Sequence, residues 1–177
     1  MNKKSSPQKT KKVVMVSGGF DPVHIGHVRL FNEAKKLGDE LVVVINNDNW
    51  LRCKKGYVFM PEHERKEIIE AFQAVDRVLL SSHKKNTKDM SVCMELIRVR
   101  PHVFANGGDR NEKDADNPES SLYRERQIHK KLGITMVYNV GYGGKVRSSS
   151  ELIKKVHKKI SKNPSSRAKL TTGRRKK

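Results

Sequence analysis

Two imidazoles, His24 and His27, stand three positions apart in the stretch GGFDPVHIGH at residues 18–27. Gly18, Gly19 and Gly26 flank them, and Phe20 and Asp21 complete the turn. Glycines remove side chains where a ligand approaches the backbone. A helix beginning near Gly26 aims unpaired N–H groups and a partial positive charge at the same space. The histidines add two more donors there, so the set suits a polyanion such as phosphate. Neither GxxxxGK[ST] nor GxGxxG occurs, which disfavours a P-loop kinase and a nicotinamide-dependent oxidoreductase. Two blander readings compete. Histidines at this spacing begin a zinc site, although no third ligand lies nearby. They are also ordinary loop histidines if the turn itself satisfies their hydrogen bonds.

Three further polar clusters carry reactive or charged side chains: NNDNWLRCKKG (46–56), NGGDRNEKD (106–114) and GYGGKVRSSS (141–150). Each of the four clusters follows an apolar, β-branched run. The five such runs are VVMVS (13–17), LVVVIN (41–46), RVLLS (77–81), HVFAN (102–106) and ITMVYN (134–139). Continuous apolar runs of this length suit strands buried on both faces. Helical patterns lie between them. Residues 27–37 place Val28, Phe31, Ala34 and Leu37 on one face, and Gly38 offers a stop. Residues 61–74 open on Pro61 and Glu62 and bury Ile68, Ile69 and Phe72. Residues 89–99 and 119–132 also read as helices, and a last one starts at Ser150. The alternation predicts an α/β fold: a Rossmann-like five-stranded parallel sheet with helices on both faces. Right-handed crossovers put every strand's C-terminal end on one edge, where ligands bind. All four clusters then share that edge, which predicts one site.

The net charge of +19 is concentrated at the ends. Residues 1–12 hold five lysines and no acid, and residues 154–177 hold eleven Lys or Arg and no acid. The middle keeps 22 basic against 19 acidic residues and is close to neutral. The expected organisation is a basic N-terminal tail (1–12), one domain (13–160) and a basic C-terminal tail (161–177), with both tails disordered. Such tails solubilise, or they contact nucleic acid or another polyanion. Two cysteines forty positions apart, Cys53 and Cys93, suggest reduced thiols rather than a disulfide or zinc framework. No apolar run is long enough to span a bilayer, and no signal-peptide core is present. A soluble, cytoplasmic protein without membrane attachment is expected.

GGFDPVHIGH resembles the HxGH signature of the nucleotidyltransferase superfamily, here His24-Ile25-Gly26-His27. The resemblance runs from about residue 13 to 155. EAKKLGDELVVVINND and PEHERKEIIEAFQAVDRVL look like stretches of glycerol-3-phosphate cytidylyltransferase and of the adenylyltransferase domain of the bifunctional heptose enzyme. NGGD and SSSELIK complete the series. The resemblance implies transfer of AMP or CMP from a nucleoside triphosphate to a phosphorylated small molecule, such as a sugar or polyol phosphate. Pyrophosphate leaves. The attacking group is already a phosphate oxygen, so catalysis is positioning plus charge stabilisation. Mg²⁺ would arrive with the triphosphate, with no dedicated protein metal site.

Residue by residue, the resemblance makes His24, His27 and Lys55 catalytic. It assigns Gly18, Gly19, Phe20, Asp21, Gly26, Asp109, Arg147, Ser148, Ser149 and Ser150 to the nucleotide. Asp48, Lys54 and Arg65 fall to the acceptor. Cytidylyltransferase relatives carry an arginine five residues before the serine motif. Gly143 stands there in this chain, with Lys145 and Arg147 nearer, which shifts the expected donor from CTP toward ATP. The family resemblance also carries an expectation of a homodimer. Two alternatives remain: adenylyl transfer to a flavin or pyridine mononucleotide, and an inactive module binding nucleotide or nucleic acid.

Overall fold

The structure is a computed structural model that describes residues 10–108, 110–141 and 148–162. The outer parts of the two basic tails lie outside the described residues. Five parallel strands form one sheet: β1 (Val13–Gly18), β2 (Glu40–Ile45), β3 (Arg77–Leu80), β4 (Val103–Gly107) and β5 (Thr135–Val140). Their spatial order is β3-β2-β1-β4-β5. The chain winds outward from β1 in one direction and then crosses to β4 to wind the other way. A crevice therefore opens between β1 and β4 at their C-terminal ends.

Seven helices are described: α1 (Ile25–Lys35), α2 (Asp48–Lys55), α3 (Glu62–Glu70), α4 (Cys93–Val99), α5 (Glu112–Asp116), α6 (Ser121–Leu132) and α7 (Ser149–Lys162). Two cores sandwich the sheet because alternate residues of a strand face opposite sides. Val14, Val16, Val43 and Ile45 meet Leu30, Phe31 and Ala34 of α1 and Ile69 of α3. Met15, Val44 and Phe104 point the other way, toward Leu96 of α4 and Ile128 and Leu132 of α6. The Rossmann-like sheet covered on both faces is thus the observed architecture. No helix among the described residues is long and apolar enough to cross a membrane.

Local differences from the sequence reading have physical causes. The polar cluster after β2, where no helix was expected, forms α2. Asn47 caps it by accepting from the Trp50 N–H at 3.0 Å, and Gly56 ends it at φ +79°. On α3 the buried stripe is Arg65 and Ile69, one turn apart, and Ile68 is 39% exposed instead of buried. α5, where no helix was expected, begins within the NGGDRNEKD cluster, started by an Asn111 cap whose partner is Asp114.

Arg65 is fully buried. Its Nη1 donates to the Gly19 carbonyl at 2.6 Å and the Asn46 carbonyl at 2.7 Å. Its Nε reaches the Met60 carbonyl at 2.9 Å and its Nη2 the Asp48 carboxylate at 2.7 Å. One guanidinium therefore ties the ends of β1 and β2 to the starts of α2 and α3. Lysine has one donor centre where arginine offers a planar fork. Arg65→Met will cost about 3–5 kcal/mol, the range for stripping one partner from a buried charge pair. Urea unfolding measures it, and a loss below 1 kcal/mol would contradict this role.

His129 on α6 is 2% exposed, and neither ring nitrogen has a hydrogen-bond partner among the described residues. Its ring meets Phe104 edge-on at 5.1 Å. Burial holds its pKa down to about 4 from 6.5. The folded state keeps it neutral while the unfolded chain takes up a proton below 6.5. Stability therefore falls as pH drops from about 6.5 toward about 4, by about 2 kcal/mol at pH 5 for this residue. His27 acts in the same direction, so the variant isolates the effect. His129→Phe should lose less thermal stability than wild type between pH 7 and pH 5 in paired melts.

Candidate active site

β1 runs out at Gly18, and the turn that follows is packed from below by an unusual backbone. Phe20 adopts φ +49°, a conformation that non-glycine residues seldom take. That bend buries its ring against Phe31 at 5.3 Å and edge-on to His27 at 5.0 Å. A Cβ on Gly18 would lie 2.9 Å from the same ring, so only glycine fits there. Phe20 and Gly18 thus set the height at which His27 emerges.

Asp21 is fully buried and acts as a clasp. Its two carboxylate oxygens accept from the Met60 N–H at 2.7 Å and the Phe59 N–H at 3.0 Å. Its own carbonyl accepts from Lys55 Nζ at 3.0 Å, which draws α2 over the histidine turn. Ser149 Oγ donates to the next carbonyl, that of Pro22, at 2.9 Å. Lys55 and Ser149, 94 residues apart, are therefore held on consecutive carbonyls of the turn that carries His24 and His27. The convergence that one shared site requires is present.

The two histidines cap α1. His24 Nδ1 accepts from the Gly26 N–H at 3.1 Å, and His27 Nδ1 accepts from the His24 N–H at 3.2 Å. Using Nδ1 as an acceptor puts the proton on Nε2 in each neutral ring. The rings stack at 3.7 Å with 19° between their planes. Burial lowers the His27 pKa to about 3, with His24 and then Lys55 adding to the fall. His27 is thus a neutral Nε2–H donor throughout the physiological range. Burial also pulls the Lys55 pKa down; Asp21 opposes the shift and Arg65 adds to it.

The two histidines face a cavity of about 230 Å³ at the crevice between β1 and β4, which neither Lys55 nor Asp21 lines. Gly18, Gly19, Phe20, His24, Gly26 and His27 form one side, and Gly107, Gly108, Ser148 and Ser149 the other. α7 starts beside it, with the Ser148 carbonyl accepting from the Leu152 N–H at 3.1 Å. The N–H groups of its first turn have no place in the helix ladder and are open to an anion. The helix begins one residue before the expected Ser150, and Ser150 does not line the cavity. Asp109, Lys145 and Arg147 lie outside the described residues, as does Gly143.

Three acceptor-side expectations change. Arg65 has no exposed surface, and its donors are spent on the protein, so it positions the site and does not touch a ligand. Asp48 is its ion-pair partner at 2.7 Å and shares that positioning role. Lys54 is exposed on the outer side of α2 and lines neither chamber described here. A second chamber of about 200 Å³ shares Ser17, Gly18, Gly19 and Gly107 with the first. Asn46, Trp50, Met90, Asn106, Arg110 and Glu125 line it, none of which sequence reasoning had singled out. Of the segment 110–118, only Arg110 reaches it. Glu125 Oε1 accepts from the Val92 N–H at 3.0 Å, and burial pushes its pKa up to about 7. Among the described residues no three His, Cys, Asp or Glu side chains group as a metal site.

Similarity to known proteins follows the same outline. The cytidylyltransferase-like family model matches residues 15–158. The FAD synthase of Thermoplasma volcanium is 34% identical over 145 residues, covering 81% of this chain and 92% of that protein. The FAD synthase of Thermococcus sibiricus is 29% identical over 152 residues, covering 84% and 95%. Among solved structures, a lipopolysaccharide core biosynthesis protein from Thermoplasma volcanium superposes with a TM-score of 0.57 at 32% identity, covering 75% of this chain and 99% of that one. The matched residues span the histidine turn, both chambers and the start of α7, so the chain belongs to the cytidylyltransferase-like family and is a nucleotidyltransferase.

Proposed function

We propose that this enzyme transfers AMP from ATP to the phosphate of flavin mononucleotide, forming FAD and pyrophosphate. The observation that carries this reading is the similarity to an FAD synthase across 92% of that protein's length and 81% of this chain. The leading expectation from sequence, a sugar or polyol phosphate, yields to the flavin alternative on that ground. A phosphorylated sugar stays as the second reading, supported by the solved neighbour named for lipopolysaccharide core biosynthesis.

The chemistry asks little of the protein beyond placement. An oxygen of the acceptor phosphate attacks the α-phosphorus as the bond to the bridging α–β oxygen breaks, and pyrophosphate leaves. Charge gathers on the α-phosphoryl oxygens and the departing group. His24 and His27 supply Nε2–H donors, Lys55 a cation, and α7 its first-turn N–H groups. Preorganised donors cost no reorganisation at the moment of reaction. Mg²⁺ carried by the triphosphate would neutralise phosphate charge when bound.

A pyrophosphate-release assay pairing ATP or CTP with flavin mononucleotide, a hexose phosphate and glycerol 3-phosphate tests the assignment. ATP with flavin mononucleotide should be the productive pair; turnover confined to a sugar or polyol phosphate would reject it. His27→Asn keeps an oxygen able to accept from the His24 N–H and removes the Nε2–H donor. Its melting curve should match wild type while kcat drops roughly a hundred- to a thousand-fold. Retained kcat would remove His27 from the reaction.

A further inference from the structure

Val44, Met15 and Phe104 belong to the core on one face of the sheet, and that apolar surface does not continue to the ends of the strands. Beyond it stand Ser17, which pairs with Val44, Asn46, just past the end of β2, and Asn106, at a register irregularity of β4; all three line the second chamber. Asn46 is 5% exposed and Asn106 8%. Asn46 Oδ1 and Asn106 Nδ2 have no hydrogen-bond partner among the described residues. Buried polar atoms of native proteins are nearly always paired, so two orphans in one chamber call for a ligand. Both side chains line the second chamber.

The remaining wall is mixed: Trp50, Met90 and Val92 are apolar, and Arg110, Ser121 and Glu125 are polar or charged. The Trp50 indole is anchored by its N–H to the Met90 carbonyl at 2.9 Å, which fixes a flat apolar surface in that wall. A planar ring laid on Trp50 can turn a polar edge toward the orphaned atoms. The orphaned atoms are one acceptor and one donor, which complement an N–H adjacent to a carbonyl.

We propose that this chamber selects the acceptor by an imide edge: Asn46 Oδ1 accepts from the ring N–H, and Asn106 Nδ2 donates to a neighbouring carbonyl. The inference rests on flavin mononucleotide being the acceptor, since its isoalloxazine carries such an edge at N3. With the ring in the second chamber, the shared wall at Gly18, Gly19 and Gly107 is where the acceptor phosphate meets the first chamber. Asn46 and Asn106 are then specificity residues of the reaction.

The test compares flavin mononucleotide with its N3-methyl analogue, using the full chain and ATP. The methyl group removes the donor and leaves the ring and phosphate intact. Wild-type kcat/KM should fall at least about ten-fold on the analogue, the effect of leaving a buried acceptor unpaired. In Asn46→Ala the two flavins should become nearly equal, because the group that distinguishes them is gone. Equal kcat/KM for both flavins in the wild type would overturn this inference and leave flavin adenylylation standing. That comparison needs no variant, so it holds even if Asn46→Ala fails to fold. No turnover of either flavin, with turnover of a polyol phosphate, would instead overturn the acceptor assignment, and the imide reading with it.

Discussion

The Arg65 guanidinium is enclosed where β1 and β2 end, and three carbonyls with one carboxylate surround it. A buried cation is costly unless every donor finds a partner. Here the partners come from three separate pieces of chain, so they cannot separate without exposing the charge to an unpaired interior. Gly19 and Asn46, two of the residues it holds by their carbonyls, belong to the walls of the chambers. Met60, the third, also donates its N–H to Asp21. Arg65 and Asp21 are thus two halves of one frame, a cation that gathers carbonyls and an anion that gathers amides. The histidine turn hangs between them.

That frame fixes how the two histidine rings are presented. Each Nδ1 is used to end the backbone of a helix start, which fixes the ring plane and the tautomer together. Burial and the neighbouring positive charges keep His27 neutral. A neutral imidazole gives its Nε2–H to a phosphate without the desolvation cost of an imidazolium. Positive charge is assigned instead to Lys55, whose ammonium is held on a carbonyl at the rim. Direction and charge are thereby carried by different side chains.

Much of this was legible in the sequence. The five β-branched runs became the five strands to within a residue or so, because strands buried on both faces are apolar throughout. The four polar clusters converged because parallel winding leaves their strands one shared edge. What was missed has a common cause: polar residues in interior positions. Arg65 occupies a core site on α3, which disguised the helical stripe and made Ile68 look inward. α2 buries only Leu51, so its sequence lacks a face and reads as a loop. Asn46 and Asn106 closed apolar runs and passed as strand ends. The signal that could have found them is parity, since each falls two residues after a core position.

Parity also shows how one sheet supports two tasks. On the face of Val16 and Ile45 the apolar core runs up to Phe20, which props His27. On the opposite face polar residues follow the core, with Ser17 beside Val44 and with Asn46 and Asn106 near the strand ends. Polar residues there forfeit apolar burial at the sheet edge. They leave a chamber beside β1, next to the wall where the first chamber begins. The thin, side-chain-free end of β1 at Gly18 and Gly19 separates the two chambers, so donor and acceptor can approach each other there without crossing a side chain. Two reactants placed in these chambers would gain from proximity, because fixed strands of the same sheet line both.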